Sequence, residues 1–396
     1  MGISTINFQT QALAQMEALE TALSQTQTEL STGKQLQRAA DNPAAMARVN
    51  ELNTQLSASQ QAVTNGNAVT SGLQLEQNAL NSATSALQSA RDLAIQSNNS
   101  DLNLTDRQNL AAQLQQLQQQ LLAAANSRDA GGSYLFGGTA SSAPPFVQNG
   151  AAVSYLGNGQ VNQVQIGPDQ SVSAGDAGSS VFMNVPAGNG TFTTAVSASN
   201  TGNASIDAGS VTTPSAWVPD TYSITFSGPG QYQVTNSLGT VVSSGTYAGT
   251  GDAIAFNGVK VTLSGTPAAG DQFTIAPAGQ ASVFSTISGL IATLNSGTLS
   301  NAQIATQVGG AIQQIDNALN NFSNVQAGVG GRLNAISAAA SSAQTEQTNL
   351  QASVSQLSDV DYAAAVTRLS TQELALQAAQ ESYASIARLS LFNYLS

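Results

Sequence analysis

The chain has 396 residues and a formal net charge of −12, and only 8% of its residues are charged, against roughly 25% in typical soluble domains. Its ten basic residues stand singly, so no basic face is expected for nucleic acid or for an anionic membrane surface. Cysteine and histidine are absent, which removes disulfides and thiolates and most general acid–base and metal-ligand chemistry. We therefore expect no enzyme, no catalytic residue, no metal and no cofactor.

No cleaved signal peptide and no membrane span are expected. The first basic residue is Lys34, so the charged segment that opens a signal peptide is missing. No apolar run approaches the roughly 20 residues that a spanning helix needs.

Apolar residues recur every three or four positions in the N-terminal part of the chain. One set is Met16, Leu19, Leu23, Thr26 and Leu30; a second runs from Val69 to Ala94, with Glu76 as an acidic interruption; a third covers Leu110 to Ala124. A 3.5-residue repeat keeps an apolar seam facing a partner helix, as in coiled coils. Many seam positions are Ala or Thr, so each helix alone should be marginal.

A break in this helical pattern falls at Ser31–Ala45. Gly33 suits a helix C-terminus and Lys34 the negative end of the helix dipole. Asn42 followed by Pro43 predicts an N-cap and the first helical residue. Further along, Thr105–Gln108 has the pattern of a capping box and predicts the start of a third helix.

The middle of the chain has the composition of a β domain. Nine of the ten prolines lie between residues 144 and 277, among many Gly, Ser, Thr and Asn residues. Residues 222–226 and 254–263 alternate apolar with small polar side chains, and Asn257-Gly258 is a strong hairpin signal. Four Gly-x-Gly triplets lack a third glycine in the right place and indicate turns rather than a phosphate site.

The C-terminal part is helical again, since residues 332–396 contain neither Gly nor Pro. Its seam positions are Leu350, Val354, Leu357, Tyr362, Val366, Leu369, Leu376, Tyr383 and Ile386. Ser358–Asp361 predicts an interruption and a restart. Four arginines stand alone on the predicted helices: Arg91, Arg332, Arg368 and Arg388. We expect local carboxylate partners for them, such as Asp92 for Arg91, with pairs between subunits as the alternative.

These patterns predict a mixed α and β fold. The N- and C-terminal arms would form a long antiparallel helical bundle or coiled-coil rod, with a β-rich insert at its far end. The predicted domains are residues 1–42 with 359–396 (terminal helices), 43–140 with 281–358 (helical rod) and 141–280 (β insert). Because chain ends are usually disordered unless tied down, segments 1–32 and 362–396 are expected to order only on assembly.

Several segments together carry a family resemblance. Leu30–Lys34 with Ala40–Ala45, Leu87–Gln96 and Ser133–Thr139 resemble elements of the flagellin family of bacterial flagellar axial proteins. The endings Leu357–Leu369 and Leu389–Leu395 are similar to members at the hook–filament junction rather than to filament subunits. Asn42 replaces the Asp that is commoner before this proline, which keeps the capping oxygen and loses a charge.

The resemblance implies a non-catalytic structural protein that joins the hook to the filament. Its partners would be other copies of the chain in a ring, the first hook-associated protein, flagellin, and an export chaperone at the C-terminal helix. It would leave the cell by type III export and be extracellular in the flagellum. An inter-layer joint is assigned to Gly33, Lys34, Asn42 and Pro43. The terminal helices would supply the assembly interface: Met16, Leu19, Leu23, Leu30, Leu369, Leu376, Tyr383, Ile386, Leu389, Leu391 and Phe392.

Three alternatives remain open from the sequence. The nearest is a flagellin that forms the filament itself. The second is a secreted adhesin in which the β insert binds a ligand. A glycosidase that uses only carboxylates is a remote third, because two acids can hydrolyse sugars without histidine.

Overall fold

A computed structural model describes the backbone of residues 2–228 and 230–395, and the side chains of residues 7, 9–228 and 230–385. The long helices of the described chain are α1 (Gly2–Thr32), α2 (Pro43–Ser97), α3 (Leu104–Ala125), α4 (Val283–Asn295), α5 (Asn301–Ser358) and α6 (Tyr362–Leu395). None of the helices in these residues is both long and apolar enough to cross a membrane.

The strands all lie between α3 and α4. They are β1 (Phe146–Asn149), β2 (Ala152–Tyr155), β3 (Gln163–Gly167), β4 (Gln170–Ser173), β5 (Val185–Pro186), β6 (Phe192–Val196), β7 (Ser205–Ile206), β8 (Ser210–Val211), β9 (Tyr222–Gly228), β10 (Gln231–Thr235), β11 (Val241–Thr246), β12 (Ala253–Phe256), β13 (Val259–Ser264), β14 (Gln272–Pro277) and β15 (Gln280–Ala281). The predicted fold class, helical arms before and after a β-rich insert, is confirmed.

The chain divides into two compact units. The terminal unit is Met1–Thr64 with Ala339–Ser396, and the central unit is Asn65–Ala338. Helices α2 and α5 contribute residues to both. The division into three domains stays a prediction.

The core of the central unit joins helices to the first part of the insert. Apolar faces of α2, α3, α4 and α5 bury Leu, Ile and Ala side chains around five phenylalanines. Those are Phe136, Phe146, Phe182, Phe284 and Phe322, and all are fully buried. Within this unit α2 and α5 run antiparallel, since Arg91 pairs with Asp316 and Asn81 with Gln326.

A second core fills the rest of the insert. A five-stranded antiparallel sheet in the order β11-β10-β9-β14-β6 packs with a smaller sheet of β12, β13, β7 and β8 around Tyr222, Phe226, Phe273 and neighbouring aliphatic side chains. The predicted hairpin is confirmed: Asn257 and Gly258 both have positive φ, and Phe256 pairs with Val259. The short strands β5 and β15 pair where the chain enters and leaves this region.

The start of α3 corrects one prediction. The N-cap is Asn103, whose side chain accepts a hydrogen bond from the Asp106 backbone N–H at 3.0 Å, so the capping box predicted at Thr105 is wrong. Asn is a better cap than Thr, and it leaves Asp106 in the first turn, where its charge favours the helix dipole. The predicted interruption near residue 360 is confirmed: α5 ends at Ser358, and Asp361 caps α6 by accepting from the backbone of Ala363 and Ala364.

Candidate assembly surface and helix joint

The terminal helices α1 and α6 pack against each other within the terminal unit. Two ion pairs give their direction: Glu29 with Arg368 at 3.2 Å, and Lys34 with Asp359 at 2.5 Å. From the first pair to the second, the residue number rises on the α1 side and falls on the α6 side, so the two helices are antiparallel. The contact between the helices buries mainly small or polar side chains, namely Thr26, Glu29 and Ala365.

The predicted assembly residues lie on this helix pair. Seven of them have described side chains, and all seven are half-buried: Met16, Leu19, Leu23, Leu30, Leu369, Leu376 and Tyr383. The remaining four belong to α6, but their side chains lie outside the described residues: Ile386, Leu389, Leu391 and Phe392. The α1–α6 contact therefore covers the predicted seam only in part.

Other apolar side chains on these helices are more exposed than these seven predicted assembly residues. Leu374 is 69% exposed, Tyr362 56%, Val366 51% and Leu13 44%. Leu13 and Leu374 fall outside the heptad positions, so the seam pattern alone did not select them. A hydrophobic pattern broader than one seam is the signal that would have found them.

The joint begins where α1 ends. Gly33 adopts φ +71° and its N–H donates to the Glu29 carbonyl at 2.8 Å, which ends the helix in a left-handed turn. A Cβ at this position would lie 3.0 Å from the Tyr362 hydroxyl of α6. The left-handed conformation favours glycine here, and a Cβ would in addition require the Tyr362 hydroxyl to shift by a few tenths of an ångström.

The chain then pairs briefly with the end of α5. The Gln35 N–H donates to the Ser358 carbonyl at 2.8 Å, and the Val360 N–H donates to the Gly33 carbonyl at 3.0 Å. Lys34 and Asp359 form an antiparallel bridge at this crossing. The two breaks in the helices, predicted separately from the sequence, thus meet at one place in the terminal unit.

Asp359 is the electrostatic centre of this crossing. The Lys34 ammonium and the hydroxyls of Ser355 and Ser358 donate to its carboxylate. These hydrogen bonds, with Lys34 first, lower the pKa of Asp359 to about 2. The side chains remain about half exposed, so the ion pair orders the crossing more than it stabilises the fold.

The joint ends where α2 begins. Asn42 Oδ1 accepts from the Ala45 N–H at 3.1 Å, and Pro43 is the first helical residue. The predicted cap and start are therefore confirmed. Before them, Asp41 Oδ2 accepts from the backbone N–H groups of Gln37 and Arg38 and folds the connection into a turn. That the joint separates two layers of an assembly stays a prediction.

The connection borders an open cleft against α1 with a volume of about 630 Å³. Its lining is polar, with carboxylates of Glu17, Glu20, Glu29 and Asp41 and the guanidinium of Arg38. The described side chains contain no group of three or more acidic residues arranged to hold a metal ion.

The central unit contains a second functional arrangement that the sequence did not reveal. Five polar side chains on one face of α5 hold backbone groups of the insert; we call them the polar ladder: Gln303, Thr306, Gln314, Asn317 and Asn321. Asn317 Nδ2 donates to the carbonyls of Pro186 at 2.9 Å and Gly188 at 2.7 Å. Gln314 donates to Pro186 at 3.0 Å and accepts from the Gly188 N–H at 3.1 Å. These contacts fix the insert on α5.

The arginines also differ from the local pairs that we predicted. Arg91 pairs with Asp316 of α5 at 2.6 Å rather than with its neighbour Asp92, because adjacent helix residues point in different directions. Arg332 pairs with Asp176 and Arg368 with Glu29, again across elements. The side chain of Arg388 lies outside the described residues.

Three family models match the chain. The bacterial flagellin N-terminal helical region matches residues 3–141, and the bacterial flagellin C-terminal helical region matches residues 312–395. The D2-like domain of flagellar hook-associated protein 1 matches residues 195–277, which hold most of the second core. The helical arms and the insert are therefore matched separately.

A solved structure covers the arms and much of the middle together. FlgL from Xanthomonas campestris is 34% identical, with a TM-score of 0.72, over 77% of this chain and 99% of that one. The chain belongs to the FlgL family, that of flagellar hook-associated protein 3. A further FlgL-family structure, hook-associated protein 3 from Legionella pneumophila, is 33% identical with a TM-score of 0.75, over 78% of this chain and 98% of that one.

Membership of the FlgL family confirms the resemblance found in the sequence and places the chain among the structural proteins of the bacterial flagellum. Flagellar hook-associated protein 3 of Escherichia coli K12 is 28% identical over 157 residues, which are 40% of this chain. That match spans 49% of the relative, about half of its length.

Proposed function

We propose that this FlgL-family chain is a non-catalytic structural subunit of the flagellar axis that joins the hook to the filament. The observation that carries the proposal is the 34% identity to Xanthomonas campestris FlgL over 99% of that chain. The terminal helices add a physical reason. They carry apolar side chains that the single chain leaves half or more exposed, as expected of surfaces that are completed in an assembly.

In this proposal the terminal helices contact other copies in a ring. Residues 1–42 with 359–396 form the inner layer, residues 43–140 with 281–358 the next, and residues 141–280 the outermost. The joint at Gly33, Lys34, Asn42 and Pro43 connects the inner layer to the next. The charged groups that line the cleft beside it are four carboxylates and one guanidinium, so it suits basic side chains of a neighbouring subunit.

The proposed neighbours along the axis are the first hook-associated protein on one side and flagellin on the other. Before export, a chaperone holds the C-terminal helix. The chain leaves through the flagellar type III channel without a cleaved signal and functions outside the cell. The absence of cysteine agrees with an export route that requires an unfolded chain, because no disulfide can lock the fold.

Deletion of the gene tests the junction role. The expected strain has hooks, secretes flagellin into the medium and builds no filament, because the hook lacks an adaptor for the first flagellin subunits. Gold-labelled antibody against the chain should mark one site at the base of each wild-type filament. Label along the whole filament would show a filament subunit instead, and normal motility with lost attachment would show an adhesin.

Two charge substitutions test the assembly surface itself. Val366→Glu and Leu374→Glu change side chains that are exposed in the single chain, so the monomer should remain folded and secreted. Filament attachment should fail, because a charge would be buried in the subunit contact. Thr371→Glu places the same charge at an exposed polar site of α6 and should preserve attachment. Normal filaments in both the Val366→Glu and the Leu374→Glu strains would contradict the proposed surface.

A further inference from the structure

A buried carboxyl group interrupts the apolar face of α2. Glu76 is 1% exposed and is the only glutamate between Glu51 and Glu346. Its Oε1 has no hydrogen-bond partner when the group is written as a carboxylate. A buried and unpartnered charge of this kind is strongly unfavourable, so the position requires either a proton or a cation.

The groups that face Glu76 come from two other elements. The Asp176 carboxyl, in the connection after β4, lies within hydrogen-bonding reach of it, and Arg332 of α5 lies close enough to act on it electrostatically. Arg332, however, is committed to the connection: it pairs with Asp176 and donates to the Gly175 carbonyl at 2.9 Å. One guanidinium therefore faces two carboxyl groups, and the carboxylate to which it donates is that of Asp176.

A single proton completes this arrangement. Burial, the nearby Asp176 charge and the hydrogen bond to Asp176 together raise the pKa of Glu76 to about 8. Glu76 is then neutral near pH 7, and its O–H can donate to the Asp176 carboxylate, which is paired with Arg332. Two carboxyl groups that share one proton in this way are a known result of close like charges.

The segment held by this cluster leads into the aromatic core. A Cβ on Gly175 would lie 3.5 Å from Glu76 Oε2, so the Gly175 backbone rests on the carboxyl group. Three residues later, the Gly178 N–H donates to the Phe136 carbonyl at 2.9 Å, and Phe182 follows within the core. An open cavity of about 330 Å³ borders Gly175 and Asp176 on this segment.

We propose that Glu76 is a pH-dependent clasp: in its neutral form it donates a hydrogen bond to Asp176 and holds residues 173–178 between α2 and α5, and loss of its proton loosens that segment. The direction of the pH effect follows from linkage. Between the ordinary glutamate pKa, 4.5, and about 8, the folded chain binds one more proton than the unfolded chain. Its stability therefore falls as pH rises through this window and becomes level above it.

The composition of the chain makes this effect measurable. Because the chain has no histidine and no cysteine, no side chain with an ordinary pKa titrates between about pH 6 and 8.5. Urea unfolding of the full chain, followed by circular dichroism from pH 5.5 to 9.5, should show the folding equilibrium constant falling by up to about tenfold per pH unit until about pH 8. Glu76→Gln should remove this dependence and exceed the wild type in stability at pH 9.

Two further variants separate the clasp from a general charge effect. Asp92→Asn removes an exposed carboxylate from the same helix and should keep the wild-type pH profile. Asp176→Asn removes the neighbouring charge, so the fall in stability should end at a lower pH. A wild-type profile in Glu76→Gln would overturn the proposal.

Infrared spectroscopy gives a readout that does not depend on variant stability. The wild-type chain at pH 7 should show the carbonyl stretch of one neutral carboxylic acid, which should disappear by pH 9.5. Absence of this band at pH 7 would overturn the proposal even if Glu76→Gln failed to fold.

Discussion

The terminal and central units use similar helices and differ in what those helices bury. In the central unit α2, α3, α4 and α5 enclose five buried phenylalanines. In the terminal unit α1 and α6 meet through Thr26, Glu29 and Ala365, while larger apolar side chains remain half-buried or exposed. All of the largest fully buried side chains among the described residues lie in the central unit. A seven-residue repeat thus predicts which helix face is apolar, but not whether the same chain covers it.

The largest expected effect comes from the centre of the aromatic core. The Phe182 ring lies 5.1–6.0 Å from the rings of Phe136, Phe146, Phe284 and Phe322. Phe182→Ala should lower the free energy of unfolding by about 3–5 kcal/mol, because it leaves a cavity among them. Leu374→Ala in α6 should change it by less than about 0.5 kcal/mol. If urea unfolding showed that both substitutions lower the free energy of unfolding equally, the central and terminal units would not differ in how much their packing stabilises them.

The polar ladder should have the next largest effect. Gln314→Ala combined with Asn317→Ala removes four hydrogen bonds to Pro186 and Gly188. We expect a loss of about 2–3 kcal/mol in the transition reported by fluorescence of Trp217, the chain's single tryptophan. Asn324→Ala, at an exposed position of the same helix, is the control and should be nearly neutral. A neutral double variant would mean that the sheets hold the insert without α5.

Substitution of Gly33 in the joint should lower the stability of the chain. Gly33→Ala forces alanine into φ +71° and should cost about 1–2 kcal/mol. Gly331→Ala is the matched control, since a Cβ there meets nothing within 4 Å; it should stabilise α5 by up to about 1 kcal/mol. Thermal unfolding of the two variants should therefore shift in opposite directions. If Gly33→Ala stabilised the chain, α1 would not end in a left-handed conformation at this residue.

The smallest effect is the coupling between Glu29 and Arg368. Glu29 has a side chain that is 9% exposed, and Arg368 one that is 53% exposed, so a double-mutant cycle with Gln at both positions should give about 0.5–1 kcal/mol. The exposed pair Arg48–Glu51 should give less. If the two coupling free energies are equal, the burial of Glu29 between α1 and α6 does not strengthen its ion pair with Arg368.

The sequence predicted what depends on local chemistry. Gly33, Asn42 and Pro43 marked the helix ends correctly, and Asn257-Gly258 marked a hairpin, because these residues act within a few positions of themselves. Composition separated the β insert from the arms for the same reason. The domain division and the assembly residues depend on neighbouring molecules and stay predictions.

What the sequence missed depends on distant contacts. Gln314 and Asn317 look like solvated helix residues until the insert's backbone is placed against them. Glu76 was recognised as an interruption of an apolar seam, but its partners are 100 and 256 positions away, at Asp176 and Arg332. Asp92 was wrongly predicted as the partner of Arg91, because the true partner, Asp316, lies on another helix.

Hydrogen exchange tests the central contrast most directly. In dilute monomer, amides of residues 7–32 and 362–385 should exchange roughly a hundredfold or more faster than those of residues 69–94, because the terminal helices open without breaking a large core. In isolated flagella the same amides should become protected, as the subunits cover the exposed Val366 and Leu374 side chains. Equal protection of the two regions in the monomer, or no gain on assembly, would contradict the account.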